Sequence, residues 1–180
     1  MPIALPNEIT TTRLILRQPR ASDAAALFDA YTQDAEVARY MVWVPHKSVK
    51  ETEGFIAYCC EAWSSGKSRP YVMSLQSAPH RPIGILEARL HSHMIDLGYV
   101  LAREHWGAGL MPEAVGTLAE IALADPSCFR VQATCDVENI ASARTLEKAG
   151  FALEAKLQRY TMHPNISAAP RACFMYANCR

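Results

Sequence analysis

The sequence predicts an α/β fold of the α+β kind: a mixed, mainly antiparallel central sheet of about seven strands with helices on both faces. Three observations lead there. Branched and aromatic runs of strand length alternate with stretches of helical spacing. Three of the runs follow one another across short turn-prone separators, as antiparallel hairpins do. A glycine-containing turn then joins an apolar strand to a helix. No repeat, low-complexity tract or linker divides the chain, so residues 1–180 read as one domain.

The elements follow in order. Arg13-Leu14-Ile15-Leu16-Arg17 reads as a short strand. Ser22 is placed to cap a helix whose Ala24, Leu27, Phe28 and Tyr31 keep helical spacing. A short irregular or helical segment then ends at Val44-Pro45. Ser48 and Glu51 have the spacing of a capping box, opening a helix with Phe55, Ile56, Cys59, Ala62 and Trp63 on one side and Gly66 at its end. Strands are expected at 71–75, 83–90 and 95–101. A helix is expected over 112–124, with Pro112 at its first position. A buried strand at 130–135, a helix at 140–149 closed by Gly150, and strands at 151–157 and 173–178 complete the order.

Composition narrows the function. Lysine plus arginine equals aspartate plus glutamate at 18 each, which gives no sequence-wide basic excess for nucleic acid. No apolar run reaches the ~20 residues of a membrane span, and the opening residues lack a signal-peptide pattern, so a cytoplasmic address is expected. The six cysteines include no Cys-x-x-Cys pair, and His91 and His93 lack a third ligand, so no metal is expected. The thiols read as reduced, several of them small core fillers; Cys135, in an apolar strand near the candidate site, is the one weighed for a reactive role against packing.

The most informative stretch is Glu104-His105-Trp106-Gly107-Ala108-Gly109-Leu110-Met111-Pro112-Glu113-Ala114. Its glycines allow a tight turn at a helix start, where amides and the helix dipole favour an anion such as pyrophosphate. No Lys-Ser or Lys-Thr follows, against a Walker loop, and Pro112 stands where a dinucleotide fingerprint has its third glycine. Leu97-Gly98-Tyr99-Val100-Leu101, Trp106-Gly107-Ala108-Gly109 and Glu113-Ala114 together resemble the coenzyme-A motif of GNAT-type N-acetyltransferases. Asn139-Ile140-Ala141-Ser142 and Leu146-Glu147-Lys148-Ala149-Gly150-Phe151 resemble the motif that follows it. Thr12 to Arg17 and Ser22-Asp23-Ala24 are similar to the start of the RimJ/RimL-like branch.

That resemblance implies transfer of acetyl from acetyl-CoA, a cosubstrate, to a primary amine by direct attack in a ternary complex. It implies a splay between the strand at 96–101 and the strand at 130–136, with the pantetheine arm held there by Tyr99, Val100 and Leu101. An amide near Val100 or Leu101 would polarise the acetyl oxygen, and amides of Trp106, Gly107, Ala108, Gly109, Leu110 and Met111 would hold the pyrophosphate. Asn139 would contact the coenzyme arm, or cap the helix before Ile140, or both. Many relatives carry a tyrosine at the position of Leu146; here Ser142 is the candidate donor to the departing thiolate. Ala108 stands where relatives often have a cation and Pro112 where threonine is frequent, which lowers the expected coenzyme affinity. For the general base the sequence offers Glu87 and Asp96, either of which can instead pair with Arg89.

Substrate choice in this fold lies in two segments, here roughly 33–47 and 160–170. The first carries Tyr40 and Trp43, read as walls of an acceptor pocket or as core packing. The acceptor is expected to be a protein N-terminus, such as that of a ribosomal protein, or a small-molecule amine, and the chain a monomer or homodimer. The alternative from another class is a non-catalytic protein that senses acetyl-CoA.

Overall fold

Eight strands form one sheet in the computed structural model, which describes residues 3–180. They are β1 (Glu8–Thr10), β2 (Leu14–Arg17), β3 (Ser68–Leu75), β4 (Pro82–Leu90), β5 (Met94–Leu101), β6 (Arg130–Asp136), β7 (Ala152–Thr161) and β8 (Arg171–Cys179). The helices are α1 (Asp23–Leu27), α2 (Ala35–Ala38), α3 (Val49–Ser65), α4 (Leu110–Ala124) and α5 (Ile140–Lys148). The strand order is β1-β2-β3-β4-β5-β6-β8-β7. Every pairing is antiparallel except β5 with β6. A parallel neighbour needs a long crossover, and α4 provides it.

Period-two alternation sorts the strand side chains between two cores. On one face Tyr71, Met73, Leu86, Ala88, Ile95 and Leu97 join Leu110, Ala114 and Leu118 of α4 and Leu146 of α5. On the other, Val72 and Ile85 meet Ala24 and Leu27 of α1 and Ile56 and Cys59 of α3, with Val100 against them. Each fully buried leucine, Leu86 or Leu118 for example, contributes about 1.5–3 kcal/mol. No helix among the described residues is long and apolar enough to cross a membrane.

The expected elements are present, with corrections at their ends. Strand β1 was not expected; Ile9 is its only buried residue, too little signal to read. Helix α1 stops at Leu27 and continues as a π turn over Phe28–Thr32, and Ser22 makes no side-chain cap. Instead Asp23 Oδ2 accepts from the Arg20 amide at 2.8 Å. Ser48 does precede α3, but its hydroxyl caps nothing; Glu51 accepts from the Lys47 amide at 3.3 Å. Helix α4 begins at Leu110 behind Gly109, so Pro112 is its third residue, still within the turn that lacks intrahelical acceptors for its amides.

Candidate active site

The β5–β6 pairing runs from Met94↔Arg130 to Leu97↔Ala133 and stops, although β5 continues to Leu101 and β6 to Asp136. The strands therefore part at Gly98. The Ala102 amide donates to Ile83 O of the β4 side at 2.8 Å. Alternation then turns the backbone groups of Tyr99 and Leu101 toward the opening and those of Val100 toward β4. Of the two amides considered for the acetyl oxygen, Leu101 has the orientation for it.

The turn after β5 is fixed to the strand it leaves. Trp106 Nε1 donates to the Leu101 carbonyl at 2.8 Å, while half of the indole stays exposed. Gly107 and Gly109 take φ of +75° and +73°, where a Cβ is strained. The Trp106 amide, expected among the phosphate donors, is taken by Arg103 O at 3.1 Å, whereas among the described residues the amides of Gly107, Ala108, Gly109, Leu110 and Met111 have no hydrogen-bond acceptor. Five successive free donors at the start of a fifteen-residue helix suit an anionic diphosphate.

Helix α5 brings two side chains to the same opening. Asn139 caps it, its Oδ1 accepting from the Ser142 amide at 3.1 Å, which leaves the Asn139 Nδ2 donors without an acceptor among the described residues. The Ser142 hydroxyl lies 2.7 Å from Tyr99 OH, joining α5 to the splayed part of β5. Burial pushes the Tyr99 phenol well above its ordinary range, with the Ser142 bond opposing, so it stays protonated and able to donate. Burial likewise pushes the Cys135 thiol up to about 11, again opposed by Ser142. Leu146 is fully buried in the core with α4 and offers no polar group here.

Glu87 and Asp96 lie together on the opposite face of the sheet, and Arg89 bridges them. Its Nη1 reaches Glu87 Oε2 at 3.1 Å, and Nε and Nη2 both donate to Asp96 Oδ2, at 2.9 and 2.7 Å. Ser68 Oγ donates to the other Glu87 oxygen at 2.8 Å. Gly98 makes room for this bridge: a Cβ there would stand 2.8 Å from Arg89 Nη1. The pairing with Arg89 that the sequence allowed is thus present for both acids. They differ in level, because Glu87 opposes Gly98, where the splay begins, and Asp96 opposes Gln132 in the closed part.

The two segments expected to choose the acceptor are joined to each other and to this opening. Asn165 Nδ2 donates to Ala38 O at 2.7 Å and to Trp43 O at 2.8 Å. Tyr40 OH donates to Glu138 O at 3.3 Å, one residue before the α5 cap. Trp43 packs toward His46 and the α1–α3 core, so it serves packing as well as any pocket. Sequence reasoning named Tyr40 and Trp43 but not the Asn165 amide that ties their segment down, since a loop asparagine carries no signal of its distant partner.

Comparison with known proteins agrees with this architecture. The model of the Acetyltransferase (GNAT) domain family matches residues 13–152. The uncharacterized N-acetyltransferase p20 of Bacillus licheniformis is 27% identical over 152 residues, 83% of this chain and 85% of its own. Among solved structures, the microcin self-immunity acetyltransferase MccE, in complex with acetyl-CoA and AMP, superposes with a TM-score of 0.85 at 19% identity, covering 99% of each chain. RimL, a ribosomal alpha-N-protein acetyltransferase in complex with coenzyme A, gives 0.81 at 20% identity over 99% of this chain and 98% of its own. The two structures show a shared fold, and the family match spans most of the chain, splay and glycine turn included: the protein belongs to the GNAT acetyltransferase family.

Proposed function

We propose that the chain transfers an acetyl group from acetyl-CoA to a primary amine, by direct attack within a ternary complex. One observation carries this reading: the Ser142 hydroxyl, backed by Tyr99 OH at 2.7 Å, stands at the strand splay, against the strand that runs on into the turn with its unpaired amides. The similarity to MccE and RimL, each solved with a form of the coenzyme, supports the choice of donor.

The turn amides from Gly107 to Met111 bind the pyrophosphate, and the inward backbone groups of Tyr99 and Leu101, with Asn139 Nδ2, hold the pantetheine arm. The Leu101 amide donates to the thioester oxygen as negative charge develops on it, the point at which a fixed donor is worth most. The amine nitrogen bonds to the carbonyl carbon and the carbon–sulfur bond breaks. Ser142 then donates its hydrogen bond to the sulfur, Tyr99 donates to Ser142 in turn, and the departing thiolate takes up the second proton, released from the attacking nitrogen as the amide forms. Glu87, level with the splay, is the proposed acceptor of the ammonium proton, through water; Asp96, a step below, is the lesser candidate. The acceptor is proposed to be a protein N-terminus, in line with RimL.

The test is release of coenzyme A from acetyl-CoA with peptides bearing free N-terminal serine or alanine, alongside a panel of small amines. Turnover on a peptide, and none on its N-acetylated form, is expected. Ser142→Ala and Glu87→Gln should each lower kcat by about 10²-fold while leaving KM for acetyl-CoA within about threefold. Turnover confined to small amines would move the acceptor to that class. Binding of acetyl-CoA with no turnover on any amine would favour a sensor, and no binding would overturn the reading.

A further inference from the structure

Between two left-handed glycines, Ala108 has little of its own to fix its peptide plane, yet the direction of that plane decides what the turn can bind. Its carbonyl is held from the other end of the chain. Arg13 Nη1 donates to Ala108 O at 2.7 Å, across 95 residues of sequence. The same guanidinium donates through Nε to Glu113 Oε2 at 2.7 Å, and the Arg13 amide donates to Glu113 Oε1 at 2.8 Å. Thr11 Oγ1 donates to that oxygen as well. One planar fork at the start of β2 therefore grips both the turn and the first turn of the helix behind it.

We infer that Arg13 is a positioning residue that holds the glycine turn in its anion-binding shape. The inference rests on the coenzyme reading above and adds a residue to it. In a trans peptide the carbonyl of one residue and the N–H of the next point in opposite directions. Drawing Ala108 O toward Arg13 therefore turns the Gly109 N–H away from Arg13, onto the side where the free amides gather. The side chain is 45% exposed, so the ion pair itself adds little stability and its contribution is geometric. Although burial opposes it, the bonds from Thr11 and Arg13 hold the Glu113 carboxyl below its usual range, so the pair is formed at neutral pH. Lysine cannot replace the fork, because one ammonium does not reach two acceptors in fixed planar geometry.

The experiment compares binding of acetyl-CoA with binding of S-acetylpantetheine, which lacks the pyrophosphate and nucleotide. Titrations use the whole chain, and melting temperatures are recorded alongside. Wild type should prefer acetyl-CoA. Arg13→Ala should weaken acetyl-CoA about tenfold or more and leave S-acetylpantetheine unchanged, with Arg13→Lys between the two. Should Arg13→Ala fail to fold, Arg13→Lys and Glu113→Gln test the same grip. Equal weakening of both ligands, or of neither, would overturn the inference while leaving the coenzyme reading in place. A wild type that does not prefer acetyl-CoA would instead overturn the phosphate turn itself, and the inference with it.

Discussion

Cys135 and Ser142 share one corner of the opening, and there burial keeps the thiol protonated. A thiol pushed up to about 11 is thiolate in about one molecule in a thousand at pH 8, and only the thiolate attacks. Exposed Cys179 should therefore react first with iodoacetamide at pH 8, and Cys135 slowly. Labelling of Cys135 should speed up by about tenfold per pH unit as the pH rises toward 11. Peptide mass mapping reads this directly; rapid loss of the Cys135 thiol at pH 7 would make it a nucleophile rather than a packed wall. The sequence showed a cysteine in an apolar strand, from which burial and a protonated thiol follow. It did not show that Tyr99 would reach Ser142, since that bond spans 43 residues and depends on where α5 docks. Arg89 was visible as a partner for either acid; that it takes both follows from Gly98 standing aside.

At the scale of elements, the segments proposed to receive the acceptor depend on Asn165. Its amide makes two bonds that cross more than a hundred residues and hold the β7–β8 turn against the end of α2 and the segment that follows it. Asn165→Ala should cost about 1–3 kcal/mol, the net worth of two hydrogen bonds. Amide exchange should quicken around residues 38–46, and acetyl-CoA affinity should not change. Hydrogen exchange read by mass spectrometry checks the first part and calorimetry the second; a loss of coenzyme affinity would show that the clamp serves the donor side. Elements with strong periodicity, α3 and α4 and strands β3 to β6, were legible within a few residues. The ends were not, because neither Ser22 nor Ser48 caps its helix; Asp23 and Glu51 instead bond back to the amides of Arg20 and Lys47, ahead of each helix. A three-residue edge strand such as β1 has its pairing determined by β2 rather than by its own sequence.

For the whole molecule, the proposed coenzyme site is spread over β5, the glycine turn and α5, so a donor bound there would link parts that are far apart in sequence. A ligand at a hundred times its Kd adds about 2.7 kcal/mol to stability. Acetyl-CoA should thus raise the melting temperature by roughly 5–11 °C for a chain of this size. Gly107→Trp should abolish the rise. A Cβ at Gly107 meets nothing within 4 Å, so the new ring obstructs the turn while the fold bears only the strain of the left-handed backbone, which circular dichroism can check. A full thermal rise in that variant would remove the turn from the binding site. The far edge of the same sheet carries a different consequence. Strand β7 is long and outermost, yet its register shifts twice against β8, and Arg159 takes a φ of 47° between Leu157 and Thr161. A broken, charged border of this kind is a poor template for another chain's strand, so the protein should resist edge-to-edge aggregation at the high concentrations where a flat ten-residue edge would seed it.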